Sequence, residues 1–453
     1  MISLVSRLRL GEAFGLSLAV VAPTVTAAFN ITLVAQFAGP AAPLAFAIGM
    51  IAMALVALSF IAFTHRVAHA GSAYAYIAHS FGPRMGFVAG WALLLTYLGF
   101  STGFAALVGS FTAAALKEFG LGVGQGWLII GAVSMVVAWL LAYRDMRLAG
   151  RLMLVMEAVA VIAIIILCID ILRQVHPGTE EIKASFRPSA DFNGWVGLGF
   201  GMVFSILSFA GFEGAATLGE ETINPRRNIP IALLGTVLGS GVFFVFVAYC
   251  EVIGFGPHGI KDLGSSQAPL DDLALRFASP RLAIVLDLAA AISCFSGILG
   301  GLSAAARMLF ALGRAGLSPA LAGVHPVHRT PSSAVSMTAL LILLTFLIWA
   351  PFTGAGNYYS YTATIGVLSL MLVYISVGVA EVVEAWREQR RLWAAACTLG
   401  PVLLLWVLYR NIFPIPEYPN NLWPYVALIW ALASWALMRW RPRVASGPLP
   451  DYS

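Results

Sequence analysis

Charge is scarce in this chain of 453 residues: Asp, Glu, Lys and Arg make up only 10% of it, against about a quarter in an ordinary soluble domain. So few charges cannot coat the three or so soluble cores that this length would otherwise suggest. Cysteine is nearly absent. The four present (Cys168, Cys250, Cys294, Cys397) all lie inside apolar runs, which excludes a secreted disulfide framework. The seven histidines (His65, His69, His79, His176, His258, His325, His328) fall in connectors or at the ends of apolar runs. His325 and His328 form a lone close pair with no Cys or carboxylate beside them, so neither a haem nor a metal site is expected. There is no Walker-type Gly-Lys motif for ATP. No cofactor is called for, and an enzyme is not expected.

Apolar residues make up 60% of the chain, and mean hydropathy is +0.88. A membrane-spanning helix needs about 20 mostly apolar residues. No charged residue occurs from Ala13 through His65, room for two spans with a turn at Gly39-Pro40 and Pro43. Further spans are predicted near 86–115, 126–142, 151–172, 195–218, 229–254, 282–312, 331–350, 358–380, 392–409 and 423–440. The prediction is an all-α integral membrane protein with twelve transmembrane helices in one domain, 1–453. The stretch 66–85 is amphipathic and is expected to lie at the interface. Trp423 and Trp440 suit interfacial anchors. The first apolar run is too long for a signal-peptide core, so no cleaved leader is expected.

The 26 basic and 21 acidic residues leave a net charge of +5, and their placement gives that excess a meaning. With the amino terminus inside, 18 of the 26 Lys and Arg fall on inner segments, among them Arg66, Arg144, Arg147, Arg226, Arg227 and Arg387. Positive charge gathers on cytoplasmic loops, so both termini are expected in the cytoplasm. The surplus is a topology signal, and nucleic-acid binding is not expected. Lysine accounts for only three of the basic residues. That bias suits a GC-rich bacterial source, and an integral protein of this kind is expected in the bacterial cytoplasmic (inner) membrane.

Two spans are interrupted. Pro23 sits mid-span in Val20-Val21-Ala22-Pro23-Thr24-Val25-Thr26 of the first, and Ser208-Phe209-Ala210-Gly211-Phe212-Glu213-Gly214 breaks the sixth. Singly, such residues often only kink a helix or let helices pack closely. Paired, they fit an inverted repeat of five spans, about 11–175 and 190–380, with two additional helices about 392–440. Unwound backbone must line a protected cavity, since lipid cannot satisfy its N–H and C=O groups. Half-helix ends aimed at such a cavity suit a zwitterion, with its carboxylate on N–H groups and its ammonium on carbonyls.

Three stretches resemble the amino acid–polyamine–organocation superfamily of secondary transporters, which has the LeuT-like fold. They are Ala70-Gly71-Ser72-Ala73-Tyr74-Ala75-Tyr76 with Phe81-Gly82-Pro83-Arg84 and Gly90-Trp91; Ser208–Gly214 continuing through Leu218-Gly219-Glu220-Glu221-Thr222-Ile223-Asn224-Pro225-Arg226-Arg227; and Ser303-Ala304-Ala305-Ala306-Arg307 with Phe310-Ala311, Arg314, Gly316 and Pro319. The resemblance implies that the backbone of Phe209–Glu213 helps bind a substrate amino group and that Glu213 couples substrate or proton. The family's Gly-Ser/Thr-Gly in the first span is replaced here by Pro23-Thr24-Val25. Proline has no N–H and valine is bulky, which leaves open a ligand without a carboxylate, such as a polyamine or amino alcohol. A lysine often found in the fifth span is absent or displaced, with Ala160 aligned at its position, and Leu207 replaces an aromatic gate.

The candidate substrate-binding set is therefore Ala22, Pro23, Thr24, Val25, Thr26, Tyr97, Ser101, Ser208, Phe209, Ala210, Gly211 and Phe212. Glu213 and Glu157 are candidates for proton coupling, because a carboxylate at membrane depth is costly without a role or a partner. Glu157 has an alternative reading as a structural tie to Arg151 or Arg307. Glu220, Glu221, Arg226 and Arg227 suit an inner gate. Glu251 and Asp287 sit near outer span ends, where capping or solvation is expected. Asn30, Ser296, Ser303 and Thr364 are weaker candidates, since hydroxyls in membrane helices often bond back to their own helix. The function implied is alternating-access transport of amino acids or related organic amines, coupled to protons or to exchange. The alternative is a receptor or sensor on the same fold that does not transport.

Overall fold

The computed structural model describes residue 18 and residues 21–66, 73–144, 147–214, 222–325 and 330–440. Within these the chain is helical, without a β-sheet. Helix α1 covers 23–38, and α2 is Ala42–Arg66. Next come α3 (Ala73–Phe81), α4 (Pro83–Glu118), α5 (Trp127–Arg144), α6 (Arg147–Gln174), α7 (Thr179–Ala184), α8 (Gly194–Leu207) and α9 (Pro225–Phe255). The short α10 (Ile260–Ser265) and α11 (Pro269–Phe277) lead to α12 (Pro280–Arg314), α13 (Ser332–Thr353), α14 (Ala355–Arg387), α15 (Arg391–Arg410) and α16 (Trp423–Trp440). Proline opens α1, α4, α9, α11 and α12. At the first helical position its missing N–H costs nothing and its fixed φ suits the helix.

Among the described residues, ten helical runs are long and apolar enough to cross a membrane. The first of these, Pro23–Thr64, spans 42 residues and contains the turn Gly39–Ala41, so it holds two of the predicted spans. Where the sixth span is predicted, the apolar helix Gly194–Leu207 is short and ends at the expected interruption.

Helix α4 is the hub, packing along α12 and α14. The α4–α14 seam is close because Gly99 faces the backbone of Thr362 and Gly366. A Cβ on Gly99 would lie 2.6 Å from the Thr362 carbonyl oxygen, a contact only glycine avoids. Helix α9 lies on α2, α8 on α1, and α13 on α5. The amphipathic stretch before α4 departs from expectation. Ala73–Ala78 of α3 are buried in the bundle, and Tyr76 stacks on Phe63 of α2 with ring centroids 4.9 Å apart.

Trp91 of α4 and Trp430 of α16 hold each other by a reciprocal clasp. Trp91 Nε1 donates to Trp430 O at 3.0 Å, and Trp430 Nε1 donates to Trp91 O at 2.7 Å. Their rings stack 4.8 Å apart. Trp430→Phe should lower stability by about 1 kcal/mol, the worth of one hydrogen bond, and Trp430→Ala by about 3 kcal/mol. Thermal unfolding in detergent measures both, and an unshifted melting temperature for Trp430→Ala would make the clasp incidental.

Two acidic residues depart from expectation. Glu251 is 1% exposed with neither carboxylate oxygen hydrogen-bonded, and Asp287 is 2% exposed with Oδ2 unpartnered. Both turn into the bundle instead of reaching water, because their helices are packed on the faces that carry them.

Candidate functional site

The first interruption lies one residue before Pro23. Ala22 adopts a left-handed conformation (φ 50°, ψ 66°), and the helix restarts at Pro23. Thr24 N–H points back toward α6 and donates to Glu157 Oε1 at 2.8 Å. The buried hydroxyls of Thr24 and Ser293 flank the half-buried Glu157 carboxylate within hydrogen-bonding reach. Glu157 thus turns toward the break, and no contact with Arg307, an exposed side chain, is formed. Above the restart, Thr26–Asn30 form a π-helical turn, a widening often found at functional sites.

That turn aims Asn30 into the bundle. Asn30 Nδ2 donates to Ser208 Oγ at 3.0 Å and to Thr26 Oγ1 at 3.4 Å, and Oδ1 accepts from Tyr359 OH at 2.7 Å. Asn30 therefore ties α1, the start of the second interruption and α14 through one amide.

The second interruption follows Leu207. Residues 208–213 form successive turns, with Ala210 N–H on Leu207 O (2.9 Å), Phe212 N–H on Phe209 O (3.2 Å) and Gly211 at φ 99°. Glu213 folds back over the break. Its Oε2 accepts from Gly211 N–H at 3.1 Å and from Tyr374 OH at 2.8 Å. Tyr97 of α4 stands within electrostatic reach of the same carboxylate.

Aromatic rings bracket the two breaks. Phe60, Phe212 and Tyr374 meet edge to face at 5.4–5.7 Å. Phe29 and Phe104 lie 5.6 and 5.8 Å from Tyr359. Edge-to-face pairs at these separations are favourable and close the space around the breaks.

The predicted residues gather at the two breaks: Thr24 meets Glu157 at the first, Gly211, Glu213 and Tyr97 meet at the second, and Ser208 is tied to the first break through Asn30. Phe209 instead packs into the core against Phe244, 5.3 Å away, and Phe212 joins the aromatic bracket. Ser101 and Thr364 hydroxyls bond back to Tyr97 O and Ser360 O of their own helices, while Ser296 and Ser303 are half-buried on α12. Arg226 and Arg227 are exposed at the start of α9, and Glu220 and Glu221 lie outside the described residues. Tyr359 and Tyr374 are outside the sequence-based candidates. Their signal was two tyrosines 15 residues apart on nearly one helix face, in a stretch without charge.

A second acidic group surrounds Asp287. Asp271 of the connector helix α11, Asp272 and Glu118 all lie within its electrostatic reach. Burial, then the charges of Glu118 and Asp272, push the Asp271 carboxyl up to about 6, with Lys117 opposing. Among the described residues no group of three or more His, Cys, Asp or Glu has the arrangement of a metal site.

Known proteins resemble the chain in sequence and in fold. The sequence model of the amino acid permease family matches residues 10–433. The branched-chain amino acid permease BcaP of Lactococcus lactis is 28% identical over 358 residues, 74% of this chain and 76% of that protein. The low-affinity putrescine importer PlaP of Escherichia coli is 28% identical over 310 residues, 67% of this chain and 66% of that protein. A crystal structure of the Eremococcus coleocola manganese transporter superposes with a TM-score of 0.61 at 11% identity, covering 96% of this chain and 95% of that one, which shows a shared fold. With a family match running from residue 10 to residue 433, the chain belongs to the amino acid permease family and is an integral membrane transporter, not an enzyme.

Proposed function

We propose that this permease moves an amino acid or a related organic amine by alternating access around the paired breaks at Ala22 and Ser208–Glu213, driven by protons or by exchange. The observation that carries the proposal is a carboxylate folded onto each break: Glu157 on Thr24 N–H and Glu213 on Gly211 N–H. Neither forms an ion pair with a described Lys or Arg side chain. Charge at that depth must be met by a proton or by a cationic ligand. The substrates for which these relatives are named, branched-chain amino acids and putrescine, fall within this range.

The packing supports an inverted repeat. α1 lies on α8, α2 on α9, α4 on α12 and α5 on α13. These are the pairs that a two-fold axis in the membrane plane would bring together. Under this proposal 11–175 and 190–380 are the two halves, α15 and α16 lie outside them, and the chain makes twelve passes of the bacterial cytoplasmic membrane with both termini in the cytoplasm.

Counterflow in proteoliposomes tests it. Vesicles preloaded with an unlabelled amino acid or amine should take up the labelled compound above the level of empty liposomes. Specific binding without any flux would favour the receptor reading and overturn transport.

A further inference from the structure

We infer that the ligand of this site is an organic amine without a free carboxylate, an inference that rests on the transport reading above. A helix N-terminus receives a carboxylate through its unused N–H groups, so the donors at both breaks decide whether one can bind. At α1 none is left. Pro23 has no N–H, Thr24 N–H is held by Glu157, Val25 N–H donates to Ala22 O and Thr26 N–H to Pro23 O. At the second break Ser208, Phe209, Ala210, Phe212 and Gly214 donate to backbone carbonyls, and Gly211 N–H is held by Glu213. The chain has placed its own carboxylates where a ligand's would go.

The charge balance points the same way. Glu157 and Glu213 each face one break without a described cation, so a zwitterion's carboxylate at either break would meet an acidic side chain already seated there. An amine brings only the complementary charge. The Thr24 and Ser293 hydroxyls flank the Glu157 carboxylate, and their oxygens keep lone pairs that can accept from an ammonium.

Further carboxyl groups lie on the connector side of the first break. Asp287, buried with a free Oδ2, lies seven residues from Cys294 on one face of α12, about 10 Å along the axis. Cys294 is within electrostatic reach of Glu157 and of Tyr359. Asp271, Asp272 and Glu118 surround Asp287 from the connector side. Carboxyl groups thus occur on α11, α12 and α6 between the connector and the first break, with Lys117 beside Asp271.

Matched pairs that differ only by a carboxylate test the inference: arginine against agmatine, lysine against cadaverine, leucine against isopentylamine, phenylalanine against phenethylamine. Binding to the purified protein and counterflow in proteoliposomes are measured for each. In at least one pair the amine should be preferred by about tenfold or more. Glu157→Gln keeps an acceptor for Thr24 N–H but removes the charge, and should erase most of that preference in protein that still unfolds cooperatively. Amino acids bound and moved better than their amines in every pair would overturn the inference and leave transport standing. Amines bound without flux would keep the inference and overturn transport. If no member of any pair binds, both fall together.

Discussion

Proteoliposomes carrying Glu213→Gln should show no uptake driven by an inward proton gradient, falling to the level of empty liposomes. Glutamine keeps the shape of the side chain and an acceptor oxygen for Tyr374 OH and Gly211 N–H, the two donors that hold Glu213 Oε2 at 2.8 and 3.1 Å. The turn over the second break should therefore survive, and only the capacity to gain and lose a proton is removed. Position makes that capacity consequential. Glu213 lies two residues beyond Gly211, so its charge state is felt by the backbone of the break, and its partner Tyr374 packs edge to face on Phe60 and Phe212. A general acid or base in a closed site is commonly worth two or more powers of ten, and loss of gradient-driven uptake should be of that order. Tyr374→Phe provides the contrast: it removes one donor and leaves the carboxylate, so uptake should slow but keep its dependence on the gradient. Unchanged proton dependence in Glu213→Gln would remove Glu213 from the coupling role and leave exchange as the mode of transport.

The features legible in the sequence are those set by composition and local chemistry. The apolar runs announce membrane helices because lipid demands them, and Pro23 and Gly211 announce interruptions because one lacks an N–H and the other tolerates positive φ. The placement of the first break at Ala22, one residue before the proline, is a matter of which φ gives way. Glu157 was legible as a carboxylate at depth, but its partner was not. Thr24 is 133 residues away, and their meeting depends on how α6 is rotated against α1, which a period of 3.6 residues leaves undetermined when a helix is apolar on every side. Glu251 shows the same limit. Nearness to a span end suggested water, yet the α9 face that carries it is packed, and both oxygens are buried. Asn30 read as one polar residue among several until the π turn gave it three partners.

Asn30→Ala should have the largest effect on stability of any single polar truncation in the site. The side chain is 3% exposed, and its amide satisfies Ser208 Oγ, Thr26 Oγ1 and Tyr359 OH together. Truncation leaves a buried tyrosine hydroxyl without its acceptor and two hydroxyls without their donor. Each such group costs about 1–3 kcal/mol when water cannot replace the partner. Ser208 retains its bond to Phe204 O at 2.8 Å, which softens the total to about 2–4 kcal/mol. Thermal unfolding in detergent measures this, and Tyr359→Phe, which removes one hydroxyl and preserves the ring against Phe29, should cost about 1 kcal/mol. If Asn30 and Tyr359 act as one unit, the double variant should fall short of the sum by at least about 0.5 kcal/mol; additivity would mean that the network is only a set of separate contacts. Transport should fall more steeply than stability. The Asn30–Ser208 bond joins the first interrupted helix directly to the second, and under the proposed alternating access the two breaks rearrange together. Once cut apart they can each relax alone, so Asn30→Ala protein that is folded at the assay temperature should still bind ligand but turn over at least about tenfold more slowly.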